Sequence, residues 1–195
     1  MSQEIEIEFK NLLTHDEFLR LIHEFAINED DFKKQTNYYF DSEDFKLKSH
    51  KSALRVRMKN DTYTLTLKQQ FEEHILETHQ TLSKDIFAGL LEGKTLPEGA
   101  VSDVIKNLDI NVSQITYLGE LTTFRAELPY KDGLLVLDEN HYLGKIDYEI
   151  EYESADYKIG LKNFEELLAD KQIPNRVTNS KIARFFSESN RNTKR

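Results

Sequence analysis

Near its N-terminus the chain alternates acid with apolar residues, Glu4-Ile5-Glu6-Ile7-Glu8-Phe9, and then meets Lys10. Strand side chains alternate between two faces, so Glu4, Glu6, Glu8 and Lys10 share one face and Ile5, Ile7 and Phe9 the other. Carboxylates about 6–7 Å apart along one face repel each other, and nothing in the strand relieves that. A second acidic strand comes late: Lys145, Asp147, Glu149 and Glu151 alternate with Ile146, Tyr148, Ile150 and Tyr152. Other segments carry bases in the same rhythm. Arg55, Arg57 and Lys59 oppose Leu54, Val56 and Met58; Thr62, Thr64, Thr66 and Lys68 oppose Tyr63, Leu65 and Leu67; Thr123, Arg125 and Glu127 oppose Phe124, Ala126 and Leu128. Hard cations such as Mg²⁺ or Mn²⁺ sit between carboxylates and phosphate oxygens. Arginine offers phosphate a planar fork and lysine a point charge. Bases beside an acidic cation site are what phosphoryl transfer requires, because positioning and charge stabilisation supply most of its catalysis.

The plain alternative is an antiparallel sheet with one wet face, which also gives clean alternation. The sorting of charge by sign argues against it, since a solvated face gains from mixing unlike neighbours. On an enclosed face, carboxylates about 5 Å apart repel by roughly 3 kcal/mol at an effective dielectric near 20. A divalent cation between them reverses that sign.

These faces need strands to carry them. Beyond the first strand, the patterns predict a helix at His15–Ala26 capped by Thr14 or Asp16, a strand at Gln35–Asp41 and a charged loop at Ser42–Ser52. Ala53–Lys59 and Thr62–Gln70 read as a hairpin turning at Asn60-Asp61. A further strand falls within Glu73–Leu82, then a helical region from Ser83 to Leu108 broken near Gly93–Gly99. Strands follow at Thr116–Tyr130, Leu134–Asn140 and Lys145–Glu153, and helices at Tyr157–Lys171 and Asn179–Ser187. The expected organisation is one domain over residues 1–189 with a frayed tail at 190–195.

Composition removes several classes. A net charge of −9 disfavours non-specific nucleic-acid binding. The absence of cysteine excludes disulfides, thiolate metal sites and cysteine nucleophiles. No GxxxxGK[ST] or GxSxG element occurs, and His15, His23, His50, His74, His79 and His141 lack zinc-binding spacing. With no signal pattern and no long apolar run, a soluble cytoplasmic protein without a membrane partner is expected.

Glu6-x-Glu8-x-Lys10 resembles the ExExK signature of CYTH domains, the triphosphate tunnel metalloenzymes. The likeness continues in order through Tyr39-Phe40-Asp41, Ala53-Leu54-Arg55-Val56-Arg57, Leu65-Thr66-Leu67-Lys68, Arg125, Leu137-Asp138, Glu149-Ile150-Glu151 and Ser180-Lys181. Tyr63 and Ser42 depart from it, standing where members often have Trp and Thr. The resemblance implies an α+β fold: a closed antiparallel β-barrel of eight strands whose polar lumen is a tunnel, with helices packed outside. It implies metal binding by Glu6, Glu8, Glu149 and Glu151, with Asp138 a further acid whose strand parity is hidden by the run Leu134–Leu137. Lys10, Arg55, Arg57, Lys68 and Arg125 resemble the family's triphosphate-binding bases. Lys181 matches a catalytic basic residue near the tunnel, and Arg184, three residues later on the same helical face, shares the role of binding substrate. Glu4 is a rim residue in this reading.

The activity so implied is Mg²⁺- or Mn²⁺-dependent hydrolysis of inorganic triphosphate or an organic triphosphate of nucleotide or thiamine type. The partner is this small molecule. An adenylate cyclase resembling class IV is the first alternative, and a non-catalytic module that binds polyphosphate or a triphosphate is the second. Substrate identity and oligomeric state stay open.

Overall fold

The computed structural model describes residues 2–71 and 74–192. The alternating N-terminal segment forms two strands, β1 (Ser2–Glu6) and β2 (Glu8–Leu13), with Ile7 between them. The Ile7 carbonyl accepts from the Ser154 amide at 3.0 Å and so leaves the strand pattern. Side-chain alternation continues through such a break, which is why it was not legible as two strands. Helix α1 (His15–Glu24) begins at Thr14, whose hydroxyl accepts from the Glu17 amide while the Glu17 carboxylate accepts from the Thr14 amide, a reciprocal cap.

Strand β3 (Lys33–Ser42) leads into the segment expected as a charged loop, which instead contains a short helix, α2 (Lys46–Ser49). Buried Asp41 folds it, its carboxylate accepting from the amides of Ser42, Leu47 and Lys48 at 2.8, 2.9 and 3.1 Å. The hairpin of β4 (Ser52–Lys59) and β5 (Thr62–Phe71) turns at Asn60-Asp61, both left-handed at φ 50° and 56°. That turn matches strand twist, and Asn and Asp tolerate its positive φ. Then come β6 (His74–Leu82), α3 (Lys84–Leu91), α4 (Ala100–Asn107), β7 (Ile115–Tyr130), β8 (Gly133–Tyr142), β9 (Lys145–Glu153), α5 (Tyr157–Asp170) and α6 (Lys181–Asn192). Helix α6 thus reaches into the expected tail; of the strand expected within Glu73–Leu82, Glu73 lies outside the described residues, as do 193–195. Among the described residues nine strands stand against the expected eight, the extra one coming from the break at Ile7.

The chain packs as two units, one comprising the residues up to Ile5 with Gln35–Glu120, the other Glu6–Lys34 with the chain from Leu121 onward. In the first, the strand order is β1-β6-β5-β4-β3, and β6, β5, β4 and β3 pair antiparallel. Its core joins Phe40, Leu54, Val56, Leu65 and Leu67 of the sheet to Leu47 of α2, Phe87 and Leu90 of α3, and Val101 and Ile105 of α4. In the second, β7, β8, β9 and β2 pair antiparallel in that order. Its core joins Leu135, Leu137, Ile150 and Tyr152 to Phe18 and Leu21 of α1 and to Phe164, Leu167 and Leu168 of α5.

The opposite faces of both sheets are not simply solvated. On β9, Glu149 and Glu151 are as buried as Ile150 and Tyr152, at 0 and 4% exposure. On β3, Gln35 and Asn37 are 2 and 0% exposed. Burial on this scale requires buried polar groups to find partners, so the solvated-face alternative fails for both units. No helix among the described residues is long and apolar enough to cross a membrane.

Candidate functional site

Strand register assembles the acids of the second unit. Asp138 on β8 stands opposite Glu149 on β9 and opposite Arg125 on β7, while Lys10 on β2 stands opposite Glu151. Paired residues share a face. The parity of Asp138, hidden in the sequence, is therefore that of the charged row. Oxygens of Asp138, Glu149 and Glu151 lie within 4.8 Å of one another, and all three residues are buried. Arg125 grips Asp138 with two parallel bonds, at 2.8 and 2.6 Å, and donates to Glu151 at 2.6 Å.

Helix α6 brings the remaining charges. Its approach is set by buried Asn11 on β2, which donates to the Pro174 carbonyl at 3.1 Å and accepts from the Arg176 amide at 2.6 Å. The Leu12 amide donates to Thr178 at 2.9 Å, and Arg176 pairs with Glu17 at 2.9 Å. One side of α6 contributes Phe185, in ring contact with Tyr142 at 6.5 Å. From α6 the Lys181 ammonium reaches Asp138, Glu149 and Glu151 at 2.8, 2.7 and 2.6 Å. Arg184, one turn on, donates to Glu149 at 2.7 Å and to Asp147 at 3.0 Å. Asp147 also accepts from Tyr142 at 2.6 Å and from Asn140 at 3.2 Å, and Asn140 in turn accepts from Thr123 at 2.8 Å.

These contacts set the charges. Burial pushes the Glu151 carboxyl up, but Lys181, Arg125 and Lys10 outweigh it and hold the group well below the usual carboxylate range. Asp138 is held down in the same way by Arg125 and Lys181. Burial works against the charge of Lys181 too, yet the three acids around it raise its affinity for the proton. Lys10 is raised by Glu8, Glu151 and Glu149 against the same desolvation, and it pairs directly with Glu8. Asp138 and Glu151 are therefore carboxylates, and Lys181 and Lys10 ammonium ions, at neutral pH. The row holds an ammonium where its three carboxylates converge, which is where a hard cation finds oxygen ligands.

Sequence-predicted residues thus divide between the units. Lys10, Glu8, Arg125, Asp138, Glu149, Glu151, Lys181 and Arg184 meet in the second. Glu6 ends β1, half-buried, and is not among the three converging acids. In the first unit Arg55 and Arg57 lie half-buried on β4, and Lys68 on β5 is paired with Glu77 of β6. Glu77, 4% exposed, also meets His79 at 3.2 Å; His79 meets Glu4 at 3.0 Å and Thr66 at 3.0 Å. Glu4 is therefore a partner of His79, although its own side chain is 65% exposed.

Glu77, His79, Asp147, Gln35 and Asn37 lie on these faces although their residue types and spacing do not mark them as ligands. Period two within β6 places Glu77 and His79 on one face, and in β3 it aligns Gln35 and Asn37 with Tyr39. Neutral amides among aromatics carry no charge signal, so nothing in the sequence marks those two.

A model of the CYTH domain matches residues 4–186. The chain is 48% identical over 188 residues to the Bacillus subtilis (strain 168) protein named "Putative triphosphatase YjbK", covering 96% of this chain and 97% of that one. A crystal structure from Bacillus halodurans described as "a putative adenylate cyclase" is similar at 45% identity and a TM-score of 0.92, covering 95% of this chain and all of its own. The Hippeastrum protein HpAC1, a "putative adenylyl cyclase" described as revealing a dominant triphosphatase activity, is similar at 25% identity and a TM-score of 0.77, with 94 and 95% coverage.

Proposed function

This chain belongs to the CYTH domain family, and from that premise we propose that it is a divalent-cation-dependent triphosphatase. The observation that carries the reading is the buried convergence of Asp138, Glu149 and Glu151 on one ammonium ion. Three carboxylates of this kind are an all-oxygen donor set suited to Mg²⁺ or Mn²⁺. Lys181 is a stand-in for the cation: its single charge satisfies oxygens of all three acids. In this reading Asp138, Glu149 and Glu151, with Glu6 and Glu8, hold the metal. When bound, the cation neutralises charge on phosphate oxygens and lowers the barrier to attack by water.

The remaining roles belong to the chain. Lys10, Arg55, Arg57, Lys68, Arg125 and Arg184 bind phosphoryl oxygens, and Lys181 orients substrate or the attacking water once it releases the acids. The protein's partner is a small triphosphate, inorganic or of nucleotide or thiamine type, and its setting the cytoplasm. The proposal extends to the family's closed eight-stranded barrel, which a crystal structure with tripolyphosphate bound would test. Likeness to proteins described as cyclases keeps one second reading in view, alignment of a ribose hydroxyl against the α-phosphate of ATP.

A single panel decides among these. Purified protein is incubated with tripolyphosphate, ATP or thiamine triphosphate, each with Mg²⁺, Mn²⁺ or a chelator. Release of phosphate only with a divalent cation is the expected result. Cyclic AMP with diphosphate from ATP would replace the triphosphatase reading with the cyclase one. Tight binding without turnover under every metal would make the protein a binding module.

A further inference from the structure

The polar face of β3 holds buried hydrogen-bonding atoms that the first unit leaves unused. Gln35, 2% exposed, has both its amide nitrogen and its amide oxygen buried without a partner among the described residues. Asn37, fully buried, accepts from Arg57 Nε at 3.1 Å through Oδ1, and its Nδ2 is buried without a partner. The Nε of Arg55 is in the same condition. Register places Asn37 opposite Arg57 and Tyr39 opposite Arg55, so these groups share one face of two adjacent strands. Gln35 and Asn37, two positions apart, stand about 6–7 Å from each other along β3.

Leaving a buried amide unsatisfied costs about 1–3 kcal/mol, which natural sequences rarely tolerate without a use. On β3 and β4 the unused atoms are three N–H donors (Gln35 Nε2, Asn37 Nδ2, Arg55 Nε) against one acceptor, Gln35 Oε1; Glu77 Oε1 on β6 also lacks a hydrogen bond among the described residues but is ion-paired with Lys68. That excess of donors suits an oxyanion. We propose that Gln35 and Asn37, together with Arg55, form a phosphoryl-binding subsite on β3 and β4 in which neutral amides complete the hydrogen bonding of the substrate's oxygens. The proposal rests on the triphosphatase reading and adds to it two substrate-binding residues that carry no charge. Their chemistry is distinct: an amide donates at fixed geometry without adding positive charge, so the subsite selects by hydrogen-bond direction as well as by field. Asn37 plays two parts, holding the Arg57 guanidinium through its oxygen and presenting its nitrogen to the ligand.

The test separates binding from folding. Gln35→Met keeps the length of the side chain and removes both unused atoms. Asn37→Asp keeps the acceptor for Arg57 and replaces the donor by a carboxylate oxygen. Affinity for tripolyphosphate is measured by titration calorimetry in the presence of Mg²⁺, and thermal stability is measured without ligand. Gln35→Met is expected to bind about tenfold more weakly while melting a few degrees higher, because an unsatisfied group has been removed. Asn37→Asp is expected to bind more weakly still. Wild-type affinity in both variants overturns the subsite while leaving the triphosphatase reading intact. A lower melting temperature in Gln35→Met overturns it as well, since the amide would then be serving the fold. Absence of any tripolyphosphate binding or turnover by the wild type overturns both readings together.

Discussion

The two units meet the same difficulty, buried polar side chains on a sheet face, in opposite ways. In the second, Asp138, Glu149 and Glu151 share Lys181, Arg125 closes on Asp138 and Glu151, and Arg184 closes on Glu149 and Asp147. In the first, Gln35, Asn37 and Arg55 keep buried atoms with no partner among the described residues. A closed charge network stabilises the fold only if every member stays, because losing one partner strands a buried charge. An open set of donors costs stability until a ligand fills it. On the proposed reading, a cation takes the place of the internal ammonium in the second unit, and an anion completes the incomplete set in the first.

The largest expected effect breaks the closed side. Lys181→Met removes the one charge shared by three buried acids and leaves them Arg125 and Arg184 as partners, and a loss of about 3 kcal/mol is expected in urea unfolding with chelator present. Added Mn²⁺ should restore much of it, because the metal supplies the missing charge. A variant as stable as wild type in chelator would mean that the network is not closed in solution.

Acid comes next. Asp138 and Glu151 are held below the usual carboxylate range by their basic neighbours, burial notwithstanding. Groups depressed on folding add stability that is fully present above the unfolded value near 4 and is lost as pH falls through the folded value. Stability should therefore fall away below about pH 4, and Glu151→Gln should flatten that limb. An acid limb unchanged in Glu151→Gln, followed by circular dichroism, would contradict the assignment.

The open side should behave differently. Arg55→Met is expected to weaken tripolyphosphate binding about tenfold or more while changing stability by less than about 1 kcal/mol. A loss of stability as large as that of Lys181→Met would erase the contrast. The smallest effect sharpens it: Thr14→Ala removes the α1 cap at a cost of about 1 kcal/mol. Metal and phosphate affinity should be unchanged in that variant, so that lost stability alone cannot account for the effects above.

Much of this was written in the strands. The alternation of Arg55 and Arg57 with Leu54 and Val56, the Asn60-Asp61 turn and the acidic row at Glu149 and Glu151 were legible because period two and turn chemistry are local. What was not legible depended on partners distant in sequence. The break at Ile7 leaves face parity intact, so one strand and two read alike. The helix at Lys46–Ser49 depends on Asp41 folding back onto its amides. Asp138 gained its parity only from register with Glu149, and Asn11 gained its role only from contact with Pro174 and Arg176. Among the site residues, ordered charges were visible and neutral amides were not.

On the proposed reading Asp138, Glu149 and Glu151 hold a divalent cation. Its most direct test is a Mn²⁺ titration followed by electron paramagnetic resonance, comparing wild type with the double variant Glu149→Gln, Glu151→Gln, each verified as folded. The wild type is expected to bind Mn²⁺ saturably, and the variant with an affinity lower by about tenfold or more. Equal Mn²⁺ affinity in the two proteins would contradict it.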